Sequence, residues 1–318
     1  MTEKTSTMTS VQLTGDGAAI ACEHDLTLAH SWHHINYTQP KAKKWLKTQP
    51  DISPMAFEHL IATDTRPKAI VDGDEVILSL RGMNFNKGAS PEEMISIRVW
   101  IKDDCMVTSC NRSSRSISYL KEALKDGKGA KNTNELLLNL IDQLADFADQ
   151  FIDDLEDLLD FEEDNISVND FERFHPKMNK LRRQIAFVKR YLSPQREALD
   201  RLYRNKSVAF TESFYEQLYL QIDKFIFILE NLDLVKERAL SLQEQYLAFI
   251  GHQQNSRLYV LAIISAIFLP LTFLSGLLGM NVGGLPGVEA PYAFWAVSGA
   301  CLILTVLLLV WFKRKKWF

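Results

Sequence analysis

Residues 258–278 read LYVLAIISAIFLPLTFLSGLL, 21 positions without a charged side chain. About 20 such residues, wound as a helix, cross the hydrocarbon core of a bilayer. A second stretch of the same kind, YAFWAVSGACLILTVLLLVWF, runs from Tyr292 to Phe312. Between Arg257 and Lys313 the only formal charge is Glu289, in the connection GMNVGGLPGVEAP and outside either span. Tyr259, Tyr292, Trp295 and Trp311 stand near the span ends, where amphipathic rings favour the headgroup region. The tail KRKKWF places Lys313, Arg314, Lys315 and Lys316 directly after the second span. By the positive-inside rule that end stays cytosolic, and two spans return the N-terminal part to the same side. The chain is therefore expected in a bacterial inner membrane, as a multi-pass plasma-membrane protein with both termini cytosolic and about thirteen residues, 279–291, facing outward.

The rest of the 318 residues is long enough for further domains, and the formal charge of −4 offers no global basic surface, so nucleic acid is not an expected partner. The lipid bilayer is. Cys22, Cys105, Cys110 and Cys301 fit neither a disulfide framework nor a CxxC-type zinc site. Cys105 and Cys110 are expected to be half-buried thiols. The N-terminus MTEKTSTMTS has no apolar run of signal-peptide length, so the body is expected to stay inside.

Residues 1–132 mix short apolar runs with turn signals, which reads as a cytosolic α/β domain. KAIVDGDEVILSLRG predicts two strands around Asp72-Gly73-Asp74, and MISIRVWIKDDCMVTSC two more around Lys102-Asp103-Asp104. SPMAFEHLIA predicts a short helix with Ser53 as N-cap and Pro54 at its first position. The pair His33-His34 is expected at the surface.

Residues 133–251 read as long cytosolic helices. Leu137, Leu140, Leu144, Phe147, Phe151, Leu155 and Leu158 recur in steps of three and four, one apolar face of a helix or coiled coil. The opposite side carries Asp142, Asp146, Asp149, Asp153, Glu156, Asp160 and Glu163. Like charges at this spacing repel by a few tenths of a kcal/mol per pair, so something cationic should compensate them. The candidates are the basic helix around Lys177, Lys180, Arg182, Arg183, Lys189 and Arg190, or bound divalent ions in a regulatory role. Ser193-Pro194 is expected to restart a helix after Leu192. From Glu212 the stripe Leu218, Ile222, Phe225, Leu229, Leu232, Val235, Ala239, Leu242, Tyr246 and Phe249 predicts a stalk helix continuing towards the first span, with one short step at Leu232–Val235. Such a helix would carry a cytosolic movement into the membrane.

Residues 252–318 form the transmembrane hairpin with its basic tail. One face of the first span reads Leu258, Ala262, Ser265, Leu269, Thr272, Gly276 and Gly279. Small and hydroxylated residues suit close helix packing in membranes. They also suit a narrow conduit with apolar constrictions at Leu258 and Leu269. Two helices per chain cannot enclose a water path, so a conduit requires several copies around an axis.

The run ending at Gly279, Met280 and Asn281 resembles the first membrane helix of the CorA metal-ion transporters with its Gly-Met-Asn signature. The continuation from Val282 to Gly287 is similar to the zinc-transporting ZntB branch. Gly82-Met83-Asn84 repeats the tripeptide outside any apolar span, and no role is assigned to it. The resemblance covers the whole chain in outline. It implies an α+β cytosolic domain followed by long α-helices and two C-terminal transmembrane helices, assembled as a funnel-shaped homopentamer whose first spans line the pore. Five Asn281 side chains would ring the outer mouth and offer amide oxygens to a hydrated cation. By position Asn255, Leu258, Leu261, Leu269, Thr272 and Gly276 match the family's pore-lining places.

The function implied is divalent-cation transport, with Zn2+ taken up in a proton-linked way as the first reading and a Mg2+/Co2+ channel as the alternative. The cation is cargo, and no resident cofactor is expected. The pore face carries neither His nor Cys, although zinc ordinarily prefers imidazole and thiolate. No acidic or basic side chain lies inside either span, so a proton relay would need groups at the ends, such as Glu289, His252 or the acidic helix. A membrane-tethered coiled-coil scaffold is the competing class. It would need neither the small-residue face nor the Gly-rich loop after it. P-loop, GxSxG and HExxH motifs are absent, so no enzyme is expected.

Overall fold

The computed structural model describes residues 8–63, 65–165, 171–280 and 290–315. Asn281 to Glu289 and Lys316 lie outside them, and so do the expectations placed there. The chain forms two compact units, Met1–Gln243 and Glu244–Phe318.

The first unit is built on a seven-stranded sheet in the order β2-β1-β3-β7-β6-β5-β4. Its strands are β1 (Met8–Leu13), β2 (Ala19–Ala21), β3 (Ser31–Asn36), β4 (Lys68–Asp72), β5 (Glu75–Gly82), β6 (Ile95–Lys102) and β7 (Cys105–Cys110). All neighbours are antiparallel except β3 and β7. Both expected hairpins form, and their turns show why. Gly73 takes φ +62° between paired Asp72 and Glu75, while Asp103 and Asp104 take φ 45° and 61° between paired Lys102 and Cys105. Positive φ gives a two-residue loop the twist its strands need.

Helices α1 (Pro40–Thr48) and α2 (Pro54–Ile61) cover one face of the sheet. Ile77, Trp100, Cys105 and Val107 from the sheet pack there with Ala42, Leu46, Ala56 and Leu60. Ser53 caps α2 as expected, its hydroxyl accepting from Ala56 N–H at 3.1 Å. On the opposite face sits α3 (Arg115–Lys125), whose Lys121 Nζ donates to Thr9 Oγ1 at 3.0 Å. Beside it begins α4 (Thr133–Asp164), capped by Asn132 Oδ1 accepting from Glu135 N–H at 2.9 Å.

The long helices follow: α5 (Phe171–Arg204) and α6 (Glu212–Leu278). Two expectations need correction. Pro194 does not restart a helix, since α5 runs through it. Leu181, Ile185, Val188, Leu192, Gln195, Leu199 and Leu202 form one fully buried stripe across the proline. Burial of that stripe outweighs the one backbone hydrogen bond that proline removes. On α6 the seam passes through Ile228, fully buried, and not Leu229, which is half-buried. The short step therefore falls earlier, at Phe225–Ile228, and from there the steps alternate four and three to Tyr246. Phe249 is exposed, and on α4 Leu159 rather than Leu158 is buried.

The second unit holds the C-terminal part of α6 and α7 (Ala293–Arg314). Their most apolar 18-residue windows have mean hydropathy 2.3 and 2.4 and are 6% and 0% buried, so neither is the core helix of a soluble protein.

Candidate functional site

The apolar part of α6 has two distinct sides. Tyr259, Ile263, Ile267, Pro270 and Leu274 are covered or half-covered, with Ile263 at 5% exposure. The corresponding stripe on α7 is Ala293, Val297, Cys301, Leu304, Leu308 and Phe312. Asn255, Leu258, Leu261, Ala262, Ser265, Leu269, Thr272 and Gly276 are all exposed, with Leu258 at 63% and Leu269 at 74%. At 3.6 residues per turn the open face is centred roughly 140° around the helix from the covered stripe. The residues expected to line a conduit therefore share one uncovered face of the chain. Cys301 belongs to the covered stripe of α7, away from that face.

The end of this helix explains one glycine chemically. Gly279 N–H donates to Ser275 O at 2.9 Å, and a Cβ at position 279 would stand 2.9 Å from that same carbonyl oxygen. Any larger residue must shift the helix end. Met280 beyond it is 49% exposed. Gly276, by contrast, has nothing within 4 Å of where its Cβ would be.

The other copy of the tripeptide has a packing role. At the end of β5 a Cβ on Gly82 would meet Leu144 Cδ2 of α4 at 2.7 Å. Met83 and Asn84 are buried. Asn84 Nδ2 donates to Glu93 O at 3.1 Å, while its Oδ1 accepts from Asn86 N–H at 3.2 Å.

Along α4 the acidic stripe is met by cations from α6. Lys224 Nζ donates to Asp142 Oδ1 at 2.8 Å and also reaches Asp146. Arg238, two heptads on, donates to Asp160 at 2.6 Å and reaches Glu163 at 3.4 Å. The basic helix α5 contributes Lys177 to Glu162 and turns Lys189 instead to Asp233 of α6. Lys224 and Arg238 were the residues missed, although their 14-residue separation on one helix matches the stripe they neutralise. Burial opposes the Lys224 charge, but the hydrogen bonds to Asp142 and Asp146 outweigh it and raise its pKa. Asp149, Asp153 and Glu156 lie between the two clamps. Burial and the neighbouring Asp153 raise the pKa of Asp149. Among the described residues no three His, Cys, Asp or Glu side chains converge as a ready metal cluster.

Two smaller expectations fail. His33 is fully buried, and His34 donates to or accepts from Thr108 Oγ1 at 2.9 Å, so the pair belongs to the sheet interior. Cys105 and Cys110 sit at the two ends of a single strand and are fully buried, with burial pushing both thiols up to about 12. Alternation along the strands, invisible in a short His-His run, decides which of these side chains go inside.

Comparison with known proteins follows the same outline. The family model described as CorA-like Mg2+ transporter protein matches residues 28–314. The chain is 36% identical over 296 residues to a divalent cation transporter CmaX of Pseudomonas aeruginosa, covering 90% of this chain and 87% of that one. It is 31% identical over 315 residues to a zinc transport protein ZntB of Yersinia enterocolitica, covering 97% and 95%. The solved structure of a full-length CmaX protein superposes with a TM-score of 0.82 at 32% identity, over 97% of each chain.

Proposed function

This chain belongs to the family of CorA-like Mg2+ transporter proteins, and from that membership we propose that it carries Zn2+ across the inner membrane through a pore lined by α6 of several copies. That it is a divalent-cation transporter of CorA/ZntB type, and not an enzyme, is the established part. The zinc assignment is supported by the ZntB relatives, and the pore assignment rests on one observation. The face Leu258, Ala262, Ser265, Leu269, Thr272 and Gly276 is uncovered in the single chain, while the opposite stripe is covered.

Five copies would close these faces on a common axis, with both termini cytosolic. Leu258 and Leu269 form apolar rings that resist wetting by anything but a strongly driven ion, and Ser265 and Thr272 offer hydroxyls between them. Gly279 sets the helix end just before Met280, and Asn281, next in sequence, is assigned to the outer mouth from the family resemblance alone. There the Asn281 amides hold the water shell of the arriving dication. No acidic or basic side chain lies in either span, so proton linkage runs through end groups such as His252 and Glu289. The carboxylates of α4 supply a regulatory ion site only where Lys224 and Arg238 leave them open, at Asp149, Asp153 and Glu156.

The test is metal flux into proteoliposomes, Zn2+ against Mg2+, with and without a pH gradient, for the native chain, Asn281→Ala and Leu269→Ser. Zinc flux that follows the gradient, falls in Asn281→Ala and leaks in Leu269→Ser is the expected result. Magnesium flux indifferent to the gradient would move the assignment to a Mg2+ channel. Unchanged flux in both variants would refute the pore lining.

A further inference from the structure

Residues 22–34 read CEHDLTLAHSWHH and hold four of the chain's seven histidines, none of which the transport reading uses. Two imidazoles of this segment meet at Ser10, and the strand register puts Cys22 in the same row. Ser10 pairs with His33 across β1 and β3. One step beyond the Val11–Ala21 pair, Cys22 N–H donates to Ser10 O at 3.1 Å. Cross-strand partners point to the same face, so Cys22, Ser10 and His33 form one row. Ser10 Oγ contacts His33 Nδ1 at 2.7 Å and also His24 Nδ1. Two imidazole nitrogens therefore face one point, within about 5 Å of each other.

The surroundings hold the two rings for that purpose. Ser31 Oγ donates to Cys105 Sγ at 3.3 Å, so it accepts from His33 Nε2–H at 3.1 Å. That assigns the proton to Nε2 and leaves the Nδ1 lone pair aimed at Ser10. A ligating histidine is ordinarily fixed in this way by an acceptor on its other nitrogen. Trp45 walls the other side, its ring 6.0 Å from His24 and 5.6 Å from His33, and its Nε1–H holds His24 O at 3.0 Å. His33 is buried and His24 exposed, which gives an ion a way in from solvent.

We propose that Cys22 Sγ, His24 Nδ1 and His33 Nδ1 bind a transition-metal dication of the Zn2+ class in the N-terminal unit, with water as the fourth ligand. Two of the three ligands already converge on Ser10 Oγ. The ion draws the nitrogens to about 3.3 Å apart, the separation set by Zn–N bonds of about 2.0–2.1 Å in a tetrahedron, and takes the place of the Ser10 hydroxyl between them. Cys22 turns its sulfur onto the ion and releases its thiol proton to solvent. The one Ser10 proton goes to His33 Nδ1, so His24 Nδ1–H is the donor to Ser10 Oγ, and on binding His24 moves that proton to Nε2 through the solvent to which it is exposed. A hard ion such as Mg2+ gains nothing from two imidazoles and a thiolate, so the site discriminates where an oxygen-lined pore does not. This site does not depend on the transport reading.

Cobalt absorption spectroscopy on the full-length protein in detergent, with Mg2+ in excess, tests it. The native chain should show intense tetrahedral d–d bands and a thiolate-to-cobalt charge-transfer band, both removed by added Zn2+. Ions at an oxygen-lined conduit absorb weakly and without charge transfer, so failure of this site and failure of the pore reading are separable. Cys22→Ser should abolish the charge-transfer band. His24→Gln, at an exposed position, should weaken binding by more than the roughly 10- to 100-fold that a supporting residue is worth. Native protein without the charge-transfer band, or spectra unchanged in both variants, would overturn the proposal.

Discussion

Replacing Lys224 by glutamine separates two meanings of the acidic face of α4. The lysine clamps Asp142 Oδ1 at 2.8 Å and reaches Asp146 as well, from a helix 82 and 78 positions away in sequence. Its side chain is 32% exposed and those of the aspartates 46% and 49%, which places both pairs on the surface scale of about 0.2–1 kcal/mol each. Loss of the charge also restores the i,i+4 repulsion of Asp142 and Asp146, a few tenths of a kcal/mol more. The expected loss is about 1–2 kcal/mol at neutral pH and low salt, shrinking as salt screens the pairs.

The assay is denaturant unfolding of the full-length protein in detergent, with and without Mg2+. In the variant the two bared carboxylates beside Asp149 should take an ion, so Mg2+ should restore stability to the variant more than it adds to the native chain. A variant within about 0.3 kcal/mol of native, with the same Mg2+ response, would refute the reasoning and leave the stripe simply solvated.

Burial lowers the pKa of His59 to about 4, against an ordinary 6.5, beside Ser79 Oγ at 2.9 Å. A depressed histidine contributes stability that is present above pH 6.5 and drains as pH falls towards 4, up to about 3 kcal/mol. His59→Gln should flatten that part of the stability-against-pH curve; an unchanged slope would show the imidazole is not held neutral. Gly82→Ala should destabilise by about 1–3 kcal/mol, because its Cβ would lie 2.7 Å from Leu144 Cδ2 in a packed core. Gly276→Ala meets nothing in the chain, so calorimetry should find the fold intact and any fall in flux would report the packing of copies against one another.

Much of this molecule is written locally. A run of 21 uncharged residues has few alternatives to a membrane helix, and the Gly73 and Asp103-Asp104 turns announce their hairpins because the backbone conformation they need is rare elsewhere. The two faces of the first span were equally readable, since helical periodicity alone places Leu258 to Gly276 on one side. Helix α1, helix α3 and the strands before residue 40 were not picked out. Their apolar residues are few, and their partners are far along the chain.

What the tertiary structure decided is everything that depends on a distant neighbour. The β3–β7 pair joins residues about 74 apart in parallel, and no local signal specifies such a crossover. That pair buries His33, expected at the surface with His34, and brings its imidazole to Ser10 beside that of His24. Pro194 reads as a stop until the stripe on either side of it is seen to be buried continuously. The carboxylates of α4 likewise call for a cation that the sequence assigns to α5 or to bound ions, until α6 lays Lys224 and Arg238 beside them. Composition and period are sums over neighbours in sequence, whereas burial and charge pairing are set by which surfaces meet, and only the folded chain contains that information.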